Sequence, residues 1–241
     1  MSLALKLALA PLLVAQALAT RRRAPVLPEP EGPREGRVGE GESLSLLIVG
    51  DSSAAGVGVP TQERALARHL ADTLAHEARR RVRWQLVAKS GITTAQALEL
   101  VREARPAPAE IAVAVLGVND VIDQVSPARA VQQRAELADW LREAAGVRHV
   151  VFAPLPPVHR FPLLPQPLRH VMGADARAHD EAVARWAATR DDVSHVPIEL
   201  GLGPEHMAPD GFHPGEPVYR ATGEALARFI AQRLIIPETA P

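Results

Sequence analysis

The 241-residue chain has no cysteine, which excludes disulfides and thiolate metal sites and is compatible with either an oxidising or a reducing compartment. It also lacks a surplus of charge. Lys and Arg number 27 against 28 Asp and Glu, a formal net charge of -1. Nucleic-acid binders normally show a basic excess, so no nucleic-acid partner is expected. The glycines of the 50–58 stretch are not followed by the lysine of a phosphate-binding P-loop, and Gly56-Val57-Gly58 has no third glycine at dinucleotide spacing. No histidine pair at helical spacing with a nearby acid suggests a metal. There is no internal repeat. The expectation is a chain that works without cofactor or metal.

What is present points to one α/β domain. Apolar residues make up 47% and charged residues 23%, and the length suffices for a full hydrophobic core. The organising stretch is Ser43 to Gly58, SLSLLIVGDSSAAGVG. Leu44, Leu46, Leu47, Ile48 and Val49 form the near-continuous run of a strand buried on both faces. Gly50-Asp51-Ser52 then breaks it. Helical spacing of Leu66, Leu70 and Leu74 predicts a helix over 64–80, with Thr61 as a candidate cap. Strands are expected at 82–88, 110–116, 149–153 and 193–196, and helices after Thr93 or Thr94, at 126–145, 174–189 and 216–234. Strands alternating with helices predict a three-layer α/β/α sandwich around a flavodoxin-like, five-stranded parallel sheet.

The segments before Ser43 read differently. Residues 3–19 are apolar apart from Lys6 and Gln16, and Arg21-Arg22-Arg23 follow at once. Residues 1–23 are therefore expected to anchor to a membrane or to dock as a helix on the domain, with a cleaved export signal as the third reading. Membrane-associated, exported and cytoplasmic placements all remain open, as does oligomeric state. Residues 24–42, rich in Pro and Gly, read as an extended linker, which places the folded domain at 43–236.

Four loops share one address. Ser52, Gly91, Asn119 and His213 each follow a strand or lie in a late loop, so each can reach the carboxyl edge of the sheet, where open α/β folds place their chemistry. A serine hydrolase needs a nucleophile, a base, a carboxylate that orients the base, and donors for the oxyanion. Ser52, His213 and Asp210 are the candidates for the first three. Asn119 and the backbone N–H groups of Ser52 and Gly91 are candidates for the donors. In sequence order Gly50-Asp51-Ser52, Gly91, Gly117-Val118-Asn119-Asp120 and Asp210-Gly211-Phe212-His213-Pro214 resemble the SGNH, or GDSL, hydrolases. The resemblance spans about 165 residues. It implies the SGNH fold and acyl-ester hydrolysis through an acyl-enzyme, with Ser52 as nucleophile, His213 as base, Asp210 as its partner, and Ser52, Gly91 and Asn119 as oxyanion hole. Ser53 stands where the family name has Leu, a position that packs behind the nucleophile.

Ser53 and His206 are the nearest rivals, and the glycine-aspartate pair and the Asp210 spacing favour Ser52 and His213 over them. Asp120 reads as a turn residue that positions Asn119. The proline-rich segment 155–172 brings Leu155, Val158, Phe161, Leu163 and Leu164 towards the active edge. Val158, Phe161 and Leu163 are candidates for an acyl pocket, although the loop could equally pack on the core. The expected partner is a small-molecule ester with a short-to-medium acyl chain. O-acetyl carbohydrate, lysophospholipid and thioester substrates stay open, as does a membrane-tethered, flavodoxin-like binding module without catalysis.

Overall fold

The computed structural model describes residues 3–199 and 203–235. Residues 1–2 of the N-terminal segment, 200–202 of the late loop and 236, the expected domain end, lie outside the described residues. The elements run α1 (Leu3–Arg23), β1 (Glu35–Val38), β2 (Ser43–Gly50), α2 (Ser52–Ala55), α3 (Leu66–Ala78), β3 (Arg81–Ala88), α4 (Thr94–Ala104), β4 (Ile111–Val115), α5 (Val118–Ile122), α6 (Pro127–Ala145), β5 (His149–Phe152), α7 (Leu168–Ala187), β6 (Val193–His195) and α8 (Glu216–Arg233).

Among the described residues the sheet has six strands in the order β1-β3-β2-β4-β5-β6. Its five parallel strands are those expected from the apolar runs. The sixth, β1, pairs antiparallel with β3, from Glu35 opposite Gln85 to Val38 opposite Val82. This corrects the five-stranded, all-parallel expectation. It also shows that the 24–42 stretch carries structure: Glu31 bridges to Thr61, and Pro30 is buried. The strand is polar and only partly buried, as befits an edge, so no apolar run announces it.

Alternation in β2 divides the core. Leu44, Leu46 and Ile48 face a cluster with Leu66, Leu70 and Leu74 of α3 and Leu226 and Ile230 of α8. Leu47 and Val49 face Leu98 and Val101 of α4 and Leu137 and Leu141 of α6. Both faces of the strand are therefore dry, which suits a parallel sheet with helices on both sides.

Local signals act as expected at several ends. Thr93 and Gln96 form a reciprocal capping box, Ser126 caps α6 with Pro127 in its first turn, and Gly146 closes that helix in the left-handed region. Thr61 instead precedes a 3-10 turn at Gln62–Arg64 and makes no side-chain cap bond, so α3 begins at Leu66. Helix α7 starts at Leu168, six residues before the expected 174, within the proline-rich stretch. Pro167 ends that stretch at the position before the helix, where a missing N–H costs nothing.

Taken without β1, the strand order is that of a doubly wound sheet, and the chain reverses direction across the sheet between β2 and β4. Crevices at such a switch point, outside the carboxyl ends of the strands, are where these folds hold ligands. The short helix α2 that follows β2 starts at Ser52, and the short helix α5 that follows β4 carries Asn119 in its first turn.

Candidate active site

Ser52 begins α2 directly after Asp51, whose carboxylate accepts the N–H of Ser53 at 2.9 Å and caps the helix. As the first helical residue, Ser52 has a backbone N–H with no intrahelical acceptor. Its side chain is almost covered, at 8% exposure. The hydroxyl Oγ lies 3.0 Å from Nε2 of His213. On the other side of that ring, Nδ1 lies 2.5 Å from Oδ2 of Asp210. With Nδ1–H donating its hydrogen bond to the carboxylate, Nε2 is left to accept from the serine hydroxyl.

Asp210 is fixed in turn. Its other oxygen accepts the backbone N–H groups of Phe212 and His213, each at 2.9 Å. Burial raises its carboxyl, but the bonds from the His213 ring and from these two N–H groups outweigh that effect and bring it below the ordinary value. The three-residue spacing works because the intervening turn folds back: Gly211 N–H donates to Ala208 O at 2.9 Å, and Ala208 N–H donates to His213 O at 2.8 Å.

The donors come from the loops after β3 and β4. Gly91 has a φ of +78° and open space where a side chain would stand, so its backbone is bare to an incoming group. The Asn119 amide Nδ2 donates to Ile92 O at 3.0 Å and lies 3.4 Å from Asp51 Oδ2. It is therefore lodged between the residue after Gly91 and the residue before Ser52. Gly117, with a φ of +131°, abuts a buried guanidinium: a Cβ there would meet Arg134 Nη2 at 2.4 Å.

That guanidinium belongs to a network that motif reading only half reached. Asp120, fully buried, accepts Thr94 N–H at 2.8 Å and Thr94 Oγ–H at 2.5 Å, together with Arg134 Nη1 at 3.2 Å. Arg134 also donates to Leu116 O. Asp120 was expected beside Asn119, but Arg134 lies on α6, and nothing in the polar face of that helix marks it. Glu29 was missed as well. From the stretch expected as a linker, its carboxylate accepts Ser90 N–H at 2.7 Å and Ser90 Oγ–H at 2.8 Å and pairs with Arg34. It thereby holds the turn before Gly91. One glutamate among the five of residues 24–42 gives no sequence signal for this.

The rival residues stand elsewhere. His206 Nδ1 accepts Gly203 N–H at 3.0 Å. Of the expected pocket residues, Phe161 lines a small apolar cavity of about 60 Å³ together with Ser53, Ala153, Met207 and Val218. Phe161 also stacks edge-on against Phe212, 5.2 Å between centroids, and Phe212 stacks in the same way on His213 at 5.3 Å. Val158 is fully buried beneath the loop. Leu163 donates its N–H to Gly211 O at 3.1 Å and is absent from the lining of that cavity. A larger cavity of about 570 Å³ lies beyond the 154–157 wall, against His159, Arg160 and Arg177. Among the described residues, no group of three or more His, Cys, Asp or Glu is placed to hold a metal ion.

Comparison with known proteins places these residues in context. Residues 48–221 match the family model described as the GDSL-like Lipase/Acylhydrolase family. A curated GDSL-like esterase of Mycobacterium tuberculosis is 29% identical over 207 residues, which are 81% of this chain and 63% of that protein. The chain thus spans less than two thirds of the length of that relative. The crystal structure of TesA superposes with a TM-score of 0.57 at 26% identity, covering 80% of this chain and 99% of its own. The lipase Lip_vut3 from a goat rumen metagenome gives a TM-score of 0.62 at 16% identity, covering 76% and 95%.

Asp51 supplies a test of the site's electrostatics. Burial raises its carboxyl from 3.8 to about 6, against the opposing N–H bond from Ser53 and the charge of His213. A carboxyl with a raised native value binds its proton more tightly when folded. Its stabilising contribution is complete below about pH 4 and is lost as pH rises through 6. Asp51→Asn keeps a cap acceptor and removes the titration. Measured by urea unfolding between pH 4 and pH 7, wild type should lose about 2 kcal/mol relative to the variant. A constant difference across that range would assign Asp51 an ordinary titration.

Proposed function

The chain belongs to the GDSL-like lipase/acylhydrolase family, and from that premise we propose that it is a cofactor-independent serine ester hydrolase that works through an acyl-enzyme. The observation that carries the reading is the continuous hydrogen-bonded line from Ser52 Oγ through the His213 ring to Asp210, 3.0 Å and 2.5 Å, at the switch point of the sheet.

In this reading Ser52 attacks the ester carbonyl as His213 Nε2 takes its proton. Asp210 holds the ring in the required tautomer and stabilises the imidazolium that forms. Negative charge then develops on the carbonyl oxygen. The backbone N–H groups of Ser52 and Gly91 are its donors, joined by the second N–H of the Asn119 amide, which leaves its long 3.4 Å contact with Asp51 while the first stays on Ile92 O and fixes the amide plane. His213 returns the proton to the leaving alcohol, and water, activated by the same ring, releases the acid. The donors lie on separate loops, so their alignment depends on the Asp120 and Glu29 anchors beneath them.

A short-to-medium acyl chain is the substrate class of this reading, supported by the small apolar cavity of about 60 Å³ that Ser53 and Phe161 help to line.

Ser52→Ala should abolish turnover of a short-chain p-nitrophenyl ester, and retained activity would overturn the assignment. Asn119→Ala should lower kcat on the order of 10²–10³-fold, the usual consequence of losing one oxyanion donor; a loss below about threefold would remove it from that role. Phe161→Ala should raise kcat/KM for octanoyl relative to acetyl esters by about tenfold or more. An unchanged ratio would show that Phe161 serves only to support Phe212 and His213.

A further inference from the structure

Six large apolar side chains are exposed among the described residues, and four of them stand on α1: Leu7 at 66%, Leu12 at 46%, Val14 at 58% and Leu18 at 52%. The concentration has a geometric pattern. At 100° per residue, three of the four, Leu7, Val14 and Leu18, fall within about 40° of one another and Arg21 continues the same stripe, while Leu12 stands apart on the side of Gln16. The opposite side of the helix is already occupied. Leu13 packs against the cluster of Phe161, Leu164, Leu168 and Met172. The Gln16 amide is used at both ends, with Nε2 donating to Gln166 O at 2.7 Å and Oε1 accepting Leu168 N–H at 3.1 Å. The helix is thus fastened to the segment that walls the candidate site, and its exposed stripe takes no part in that attachment.

Charge identifies what the stripe fits. Helix α1 contains Lys6, Arg21, Arg22 and Arg23 and no acidic residue, and the three arginines are exposed. A second copy of the same helix would offer these cations no acidic partner, whereas an anionic lipid surface offers acyl chains for the leucines and phosphates for the arginines. No described helix is long and apolar enough to cross a membrane, and Leu13 and Gln16 tie α1 to the domain along its other side, which leaves the stripe to meet a surface side-on.

We propose that α1 lays its Leu7–Val14–Leu18 stripe into the surface of an anionic phospholipid bilayer, with Arg21–Arg23 on the headgroups, and so holds the candidate ester site beside a lipid surface. Binding is independent of hydrolysis and is measured separately from it.

The test is co-sedimentation of the full chain with vesicles, either phosphatidylcholine alone or phosphatidylcholine mixed with phosphatidylglycerol. Wild type should pellet with the anionic vesicles and remain largely in the supernatant with the neutral ones. Replacing Arg21, Arg22 and Arg23 together by Gln should weaken anionic-vesicle binding on the order of a hundredfold. Replacing Leu7, Val14 and Leu18 together by Ser should weaken it by about tenfold or more. The stripe points away from the domain, so circular dichroism and hydrolysis of a water-soluble ester should be unchanged in both variants, separating loss of binding from loss of catalysis. The proposal is overturned if wild type fails to pellet with anionic vesicles or if both variants bind as wild type does. It is also overturned if the stripe instead drives a dimer, seen by analytical ultracentrifugation and lost in the serine variant, without vesicle binding.

Discussion

The buried carboxylate of Asp120 is the contact on which the geometry of the site depends. It draws the start of α4, through both polar groups of Thr94, to the guanidinium of α6, and Arg134 in turn holds the carbonyl that ends β4. Three segments that share no sequence neighbourhood are thereby fixed to one point behind Asn119. A buried ion pair contributes little net stability, but removing one partner strands the other charge and costs about 3–5 kcal/mol. Its value here is positional. The oxyanion donors sit on separate loops, and a site of that kind needs its loops held to a fraction of an ångström.

Two aspartates near the nucleophile have opposite environments. Asp51 lies in the dry interior behind Ser52, where burial outweighs its bonds and raises its carboxyl to about 6. Asp210 meets the His213 ring and two backbone N–H groups, which outweigh its burial and lower it. One therefore stays ionised to orient an imidazole, while the other serves as a helix cap that a proton can reach near neutral pH. The difference comes from depth and charge: Asp51 is the more deeply buried and has the like charge of Asp120 near it, whereas Asp210 bonds directly to the His213 ring.

Much of this was legible in the chain. The five parallel strands show as short apolar runs because each is dry on both faces, and a run such as Leu44 to Val49 has few other uses in a chain of this size. Ser52, Asn119, Asp210 and His213 were legible because their loops follow those runs, and the structure brings all four to one edge. What escaped has a common cause. Strand β1 is polar, and its partner sets its identity. Glu29 and Arg134 act on residues 61 and 18 positions away, where local pattern carries no information. Val158 and Leu163 were named for an acyl pocket from hydrophobicity alone, which does not distinguish a wall that faces a substrate from one that faces the core.

The strap from Glu29 to Val38 bears on where this domain can be cut. A chain begun at Ser43, the boundary that composition suggests, would keep every residue named for chemistry. It would lose the Glu29 carboxylate that holds Ser90 and the strand that covers β3. The Gly91 turn would then be free to wander, and the stretch of β3 that β1 covers, Val82 to Gln85, would open its outer edge to any passing strand. Such a truncation would be catalytically slack and prone to association, although its sequence contained the whole motif set.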